Sequence, residues 1–299
     1  MQKSGYIAII GKPNVGKSTL INSIIGEKVA ITTHKPQTTR NRITGILTTK
    51  DSQLIFVDTP GIHDAKTVFN KNLVDASREA LSNADVVLMI VDACENPNHD
   101  DLSILKSLQR IEKPVFLVIN KIDLMHKEKL LPLIDDYQKR FRFREVIPLS
   151  ALKNFNIDRL IELIRLTLPE GPKYYPDDFF TDQSERFLAA EIIREKVTLL
   201  TQAEVPYACA VIIDSFKEDK EKGVIVIQAV IYVEKNSQKG IMIGNRGAML
   251  KEIGRLSRLD IEKIFNSKIY LELYVRTRKN WTRDMKMLRE FGYTNEGNP

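Results

Sequence analysis

Two cysteines in 299 residues are too few for a disulfide scaffold. Cys94 and Cys209 also lie too far apart for the paired spacing of a zinc site. Each sits in or just after an apolar run, so both are expected to be buried, reduced thiols. Long apolar runs are missing as well: none approaches the ~20 residues that a helix needs to span a bilayer. The run at residues 6–10 is too short for a signal peptide and leads straight into a glycine-rich loop. A soluble protein, peripheral to a membrane at most, is expected. Excess charge is small overall, at +6, but it is unevenly placed. Residues 177–234 carry 6 Lys+Arg against 12 Asp+Glu, whereas residues 235–289 carry 14 against 5. A late basic block of this kind suits a polyanionic partner, either nucleic acid or an acidic membrane face.

What the chain does have is a set of three short motifs in a fixed order. GKPNVGKS occupies residues 11–18, DTPG residues 58–61 and NKID residues 120–123. Each follows an apolar, strand-like run. The first is a phosphate cradle, the second a magnesium and γ-phosphate sensor, and the third a guanine clamp. Their succession implies GTP/GDP and Mg2+ as ligands. A hydrophobic content of 43% in a chain of this length is enough for two cores.

In the first half, apolar runs at residues 5–10, 54–57, 86–91, 115–119 and 146–149 alternate with helix-like segments at 18–25, 70–82, 102–110, 127–141 and 157–168. This alternation predicts an α/β fold, a P-loop, doubly wound, mostly parallel sheet with ligands at the carboxyl ends of its strands. Lys17 should reach the β- and γ-phosphates, and the Ser18 hydroxyl should ligate Mg2+. Asp58 should hold the metal through water, and the Gly61 amide should approach the γ-phosphate. Asp123 should accept two hydrogen bonds from guanine, a donor pair that adenine lacks. Asn120 and Lys121 would brace and cover the base, and the Ala151 amide in Ser150-Ala151-Leu152 would add a contact. The polar stretch 31–42 should order only around γ-phosphate and metal, with Thr39 preferred over Thr38 as the second hydroxyl. Lys17, Thr39 and Gly61 are thus the expected catalytic set.

Two departures from the Ras-like pattern bear on rate. Ile62 stands where those GTPases place the glutamine that orients water, so unassisted hydrolysis should be slow, on the order of 10⁻³ s⁻¹ or below. Asn14 occupies the cradle position of the asparagine in GTPases that use potassium, which makes it a candidate K+ ligand. His63 reads as an exposed loop residue.

The prolines and glycine at 169–176 read as a linker. Beyond it, residues 185–201 have the spacing of an amphipathic helix, and 208–216 and 224–233 that of a hairpin. A GxxG follows, made of Gly244, Asn245, Arg246 and Gly247, with an apolar turn before it. An amphipathic helix after it, a further helix at 256–266 and a strand at 269–275 complete the unit. With Lys239, Lys251 and Arg255 nearby, and Ile241, Ile243 and Leu250 forming an apolar groove, the segment resembles a KH domain. Glycines there let an RNA backbone come close, basic side chains meet its phosphates and the groove accepts bases. Trp281 fits either a core or a base-stacking role. Residues 292–299 read as a flexible tail.

The spacing of QTTR (37–40), DTPGIH (58–63) and NKID, together with RKNW (278–281) and LREFGY (288–293) near the end, resembles the bacterial Era family over essentially the whole chain. The resemblance implies a GTPase domain at 1–170, a linker at 171–184, and an α+β type II KH domain at 185–291. It assigns Gly11, Lys12, Pro13, Asn14, Val15, Gly16, Lys17, Ser18 and Thr19 to nucleotide. To the same ligand it assigns Asp58, Thr59, Pro60, Gly61 and Ile62, then Asn120, Lys121, Ile122 and Asp123, and Ser150, Ala151 and Leu152. It further implies binding to the 3′ end of small-subunit (16S) ribosomal RNA, assistance to assembly of the 30S particle, and a cytoplasmic, monomeric protein with contact to the inner membrane face. Two rivals remain. A membrane-linked signalling GTPase would use its basic C-terminal segment on anionic lipid. A component of an RNA-modifying enzyme would need cysteine or cofactor chemistry, for which no motif is present.

Overall fold

The computed structural model describes residues 2–33, 35, 43–58, 80–202, 204–219 and 221–293. The described residues fall into two compact units. The first contains 2–30, 43–58 and 80–182, the second 31–33, 35 and the described residues from 183 onward.

In the first unit, β1 (Lys3–Ile10), β2 (Ile43–Thr48), β3 (Ser52–Asp58), β4 (Val86–Asp92), β5 (Val115–Asn120) and β6 (Glu145–Pro148) form one sheet in the order β2-β3-β1-β4-β5-β6. Only β2 runs antiparallel to its neighbour. Alternate residues of each central strand feed opposite cores. Ile7, Ile9, Leu88, Ile90, Phe116 and Val118 face one side, where α1 (Lys17–Ile25) and α4 (Ile157–Thr167) pack. Ala8, Ile10, Val87, Met89, Leu117 and Ile119 face the other, covered by α2 (His99–Leu108) and α3 (Leu130–Arg140). Burial on both faces is why these strands read as continuous apolar runs.

The linker expected at 171–184 is, up to residue 182, part of this unit. Glu170 bridges Lys3, and the Gln53 side chain accepts from the amides of Tyr174 and Tyr175 at 2.7 and 3.0 Å. Ile46 N donates to Phe180 O, and Thr181 Oγ1 to Thr44 O at 2.7 Å. These bonds occupy the outer edge of β2.

The second unit has α5 (Glu185–Leu200), β7 (Cys209–Asp219), β8 (Val224–Val233), α6 (Asn236–Ile243), α7 (Ala248–Phe265), β9 (Lys268–Thr277) and α8 (Met285–Glu290). The sheet order is β7-β8-β9, with the first pair antiparallel and the second parallel. One expectation changes here, and one open alternative closes. One helix precedes the GxxG and a single 18-residue helix follows it, with Gly254 inside that helix where two segments were expected. Trp281 is fully buried with Nε1–H donating to Ala208 O at 3.1 Å, which makes it a core residue. Tyr293, read as tail, is buried against Trp281; residues 294–299 lie outside the described set. Cys209 is buried as expected, whereas Cys94 is exposed, because it follows Asp92 in a turn at the strand end. Among the described residues no helix is long and apolar enough to cross a membrane.

Candidate functional site

The parallel strands of the first unit deliver their carboxyl ends to one edge of the sheet, and the motifs begin there. The cradle follows β1, where the chain passes to one side for β2 and β3 and then to the other for β4. This is the switch point at which doubly wound sheets bind ligands. Gly16 caps α1 with φ +99°, and no side chain closes the helix N-terminus, so its first amides remain available to an anion. A Cβ at Gly16 would stand 2.3 Å from Asn120 Nδ2. Glycine is therefore required both by conformation and by the approach of the guanine loop.

Lys17 is buried, with Nζ donating to the carbonyls of Gly11 and Lys12 at 2.9 and 3.0 Å. Burial lowers its pKa to about 8, although the charge of Asp58 works in the opposite direction. An ammonium held at such cost is ready for phosphate oxygens. Ser18 Oγ donates to Asp58 Oδ2 at 2.7 Å. A hydroxyl and a carboxylate meeting at one point beside the cradle are hard oxygen donors of the type Mg2+ takes, so the residues present fit that ion. Among the described residues no cluster of three or more His, Cys, Asp or Glu offers another metal site.

The guanine loop is tied to the cradle from two directions. Asn120 is buried; its Nδ2 donates to Val15 O at 2.8 Å and its Oδ1 accepts from Ala151 N at 2.9 Å. The Ala151 amide, expected on guanine, is thus engaged by Asn120 in this arrangement. Lys121 has φ +66° and reaches Asn14 O at 2.7 Å and Asp92 Oδ2 at 2.6 Å. Asp123 is exposed in the short turn Ile122–Leu124, and Leu152 is exposed too. Asp92 was not anticipated. It ends β4 at the same sheet edge as Asp58 and Asn120, and that shared position was the available signal. Asn14 is exposed with φ +66°. Thr38, Thr39, Thr59, Pro60, Gly61, Ile62 and His63 lie outside the described residues.

In the second unit the GxxG lies between α6 and α7. Gly244 has φ +73° and ψ −178°, and a Cβ there would meet Met249 Cβ at 2.7 Å. Gly247 has φ +80° with open space around it, and caps α7 without any side-chain bond. Asn245, Arg246 and Lys251 are exposed, as is Ile241, at 49%. Lys239, Ile243 and Leu250 are half-buried. Arg255 is exposed, but its guanidinium bonds Glu252 at 2.8 and 2.7 Å. Gln238, whose role was not foreseen, starts α6 by accepting from the amides of Glu234 and Lys235, both at 3.0 Å.

A P-loop GTPase with a KH domain behind it is the class that this fold and these two sites define. A family model described as 50S ribosome-binding GTPase matches residues 6–121, and one described as KH domain matches residues 204–282. The chain is 57% identical to GTPase Era of Syntrophus aciditrophicus over 293 residues, covering 98% of this chain and 96% of that protein. It is 53% identical to GTPase Era of Geobacter metallireducens over 292 residues, with 98% of each chain covered. The chain belongs to the Era family of GTPases. Among solved structures, a point variant of Era from Aquifex aeolicus bound to GDP·AlF4⁻ matches with a TM-score of 0.94 at 42% identity, over 98% of this chain and 100% of that one. Era in complex with MgGDPNP and nucleotides 1506–1542 of 16S ribosomal RNA matches at 0.95 and 42% identity, with the same coverage.

Proposed function

We propose that this protein is a GTP-controlled timer in assembly of the small ribosomal subunit. With Mg2+ and GTP bound it grips the 3′ end of 16S ribosomal RNA through the GxxG surface, and hydrolysis to GDP releases it. The observation that carries the reading is the helix N-terminus behind Gly247, left uncapped and set beside exposed Arg246, Lys251 and Ile241. That surface offers amides and cations to phosphates and an aliphatic edge to bases. The near-superposition on Era in complex with 16S ribosomal RNA supports RNA over lipid as its partner.

Control by nucleotide is supported by the path of residues 31–33 and 35. They follow the cradle in sequence, yet group with the second unit. Thr32 N donates to Glu195 Oε1 at 3.0 Å, and Lys35 Nζ donates to the carbonyls of Thr198 and Thr201 at the end of α5. A cation there complements the helix C-terminus. On this reading γ-phosphate draws the segment away and GDP lets it return.

Gly247→Asp tests RNA binding without a collision, since no atom lies within 4 Å of the new Cβ. Its φ of +80° strains any side chain, so a melting curve accompanies the binding measurement. Affinity for a 16S 3′-end oligonucleotide should fall by about 10–100-fold, as expected when a carboxylate replaces a phosphate contact, with GTP affinity unchanged. Gly244→Asp is a poorer probe because it collides with Met249. RNA affinity should be higher with a GTP analogue than with GDP, and Lys35→Met should narrow that difference. Equal affinity in both nucleotide states would end the timer model, and loss of lipid binding with RNA binding retained would favour the membrane reading.

We also propose that Asn14 ligates K+ during hydrolysis, on the strength of its exposed position at the crown of the cradle. Turnover in K+ should exceed that in Na+ by at least about tenfold, given the scale of the charge stabilisation it would replace. Equal rates remove the ion from the mechanism. The protein is proposed to act as a cytoplasmic monomer; peripheral contact with the inner membrane is checked by vesicle flotation.

A further inference from the structure

Lys12, the second residue of the cradle, commits its side chain to two carboxylates. Its Nζ lies 2.6 Å from Glu95 Oε2 and 3.2 Å from Asp101 Oδ2, and the side chain is only 8% exposed. Asp101, 1% exposed, is fixed in turn. Its Oδ2 accepts from Asn98 N at 3.1 Å within the capping box that starts α2. From α3 the buried Tyr137 lies close to the same carboxylate, and burial together with that negative charge suppresses the phenol's ionisation. The cap of α2 thus holds the carboxylate, and that carboxylate holds Lys12. The carbonyl of Lys12 is one of the two that receive Lys17 Nζ.

We infer that Lys12 and Asp101 form a positioning pair: by pinning the Lys12 peptide from behind, they set where the Lys17 ammonium meets the phosphates and how slowly nucleotide leaves. A buried ion pair contributes little net stability, because desolvation offsets its attraction, whereas breaking one side strands a charge. Fixed geometry is the return for keeping such a pair beneath a cradle where displacements of about 1 Å matter. The pair is separated by 89 positions and acts on Lys17 through the Lys12 carbonyl.

The experiment is a chase of fluorescent GDP from the full-length protein, with thermal melting measured in parallel. Asp101→Asn should speed GDP release by about tenfold and lower the melting temperature. The double variant Lys12→Met, Asp101→Asn removes both charges, leaves an amide oxygen to accept from Asn98 N, and should regain the melting temperature while release stays fast. A structural brace alone predicts that release and melting recover together, which would overturn the proposal. So would release at the wild-type rate in a folded Asp101→Asn protein. If Asp101→Asn does not fold, the double variant decides by the same two readings.

Discussion

Asp123→Asn is expected to abolish the preference for GTP and to create one for xanthosine triphosphate. The carboxylate accepts from the N1–H and the exocyclic amine of guanine. An amide presents one acceptor and one donor, which suits the carbonyl that xanthine carries in place of the amine. Sites that depend on such pairs discriminate by about 10⁴-fold when one partner is wrong, so GTP affinity should drop on that scale. The fold should be indifferent, because Asp123 is exposed and its turn is held by backbone bonds, among them Ile122 N to Leu149 O at 3.3 Å. Titrating both nucleotides into the variant, with melting curves alongside, is the check. A variant that melts normally and still prefers GTP refutes the clamp.

Lys17→Met should cost on the order of 10²–10³-fold in GTP affinity, the loss of charge-assisted bonds to two phosphates. It should not destabilise the nucleotide-free protein. In the folded cradle the pKa of Lys17 lies near 8, against 10.5 for the ordinary side chain. Between those values the folded state binds fewer protons than the unfolded one, so this group's contribution to stability rises with pH through that window. Below about pH 8 it is a penalty, of at most about 3 kcal/mol, which methionine removes. The carbonyls of Gly11 and Lys12 lose a donor in exchange and offset part of the gain. Phosphate binding needs the ammonium, so wild-type affinity should weaken between pH 7 and 9, by up to about tenfold per unit above 8. The methionine variant reports any titration of guanine itself and should lack that extra slope. A lowered melting temperature with GTP binding intact would contradict this account of the cradle.

The central strands were legible because a strand buried on both faces leaves an uninterrupted apolar run, as in VVLMIVD at β4. The edge strand β2 was not, for two physical reasons. It is broken by Gly45, which α1 requires, since a Cβ there would lie 2.8 Å from an Ile21 methyl. Its apolar run is also interrupted by Thr44 and Thr48, the latter accepting from Gln53 Nε2 at 3.0 Å. The nucleotide motifs could be read because their chemistry is local: GKS and NKID each act within a few residues. Asp101 and Gln238 could not. Each acts through one or two hydrogen bonds to groups distant in sequence or to backbone amides, and neither leaves a pattern. The continuity of α7 was hidden by Gly254, whose poor helix propensity is overridden by packing against Leu273.

The edge of β2 has a practical bearing on where this gene can be cut. Composition places the domain boundary at the prolines after residue 168, but residues 170–182 occupy the outer groups of Thr44 and Ile46. A fragment ending at Pro169 would bare a flat strand edge to other copies of itself, the usual route to aggregation. A fragment ending after Asp182 carries its own cover. Recombination that exchanged C-terminal partners among such GTPases would have met the same constraint, with a viable crossover downstream of the prolines.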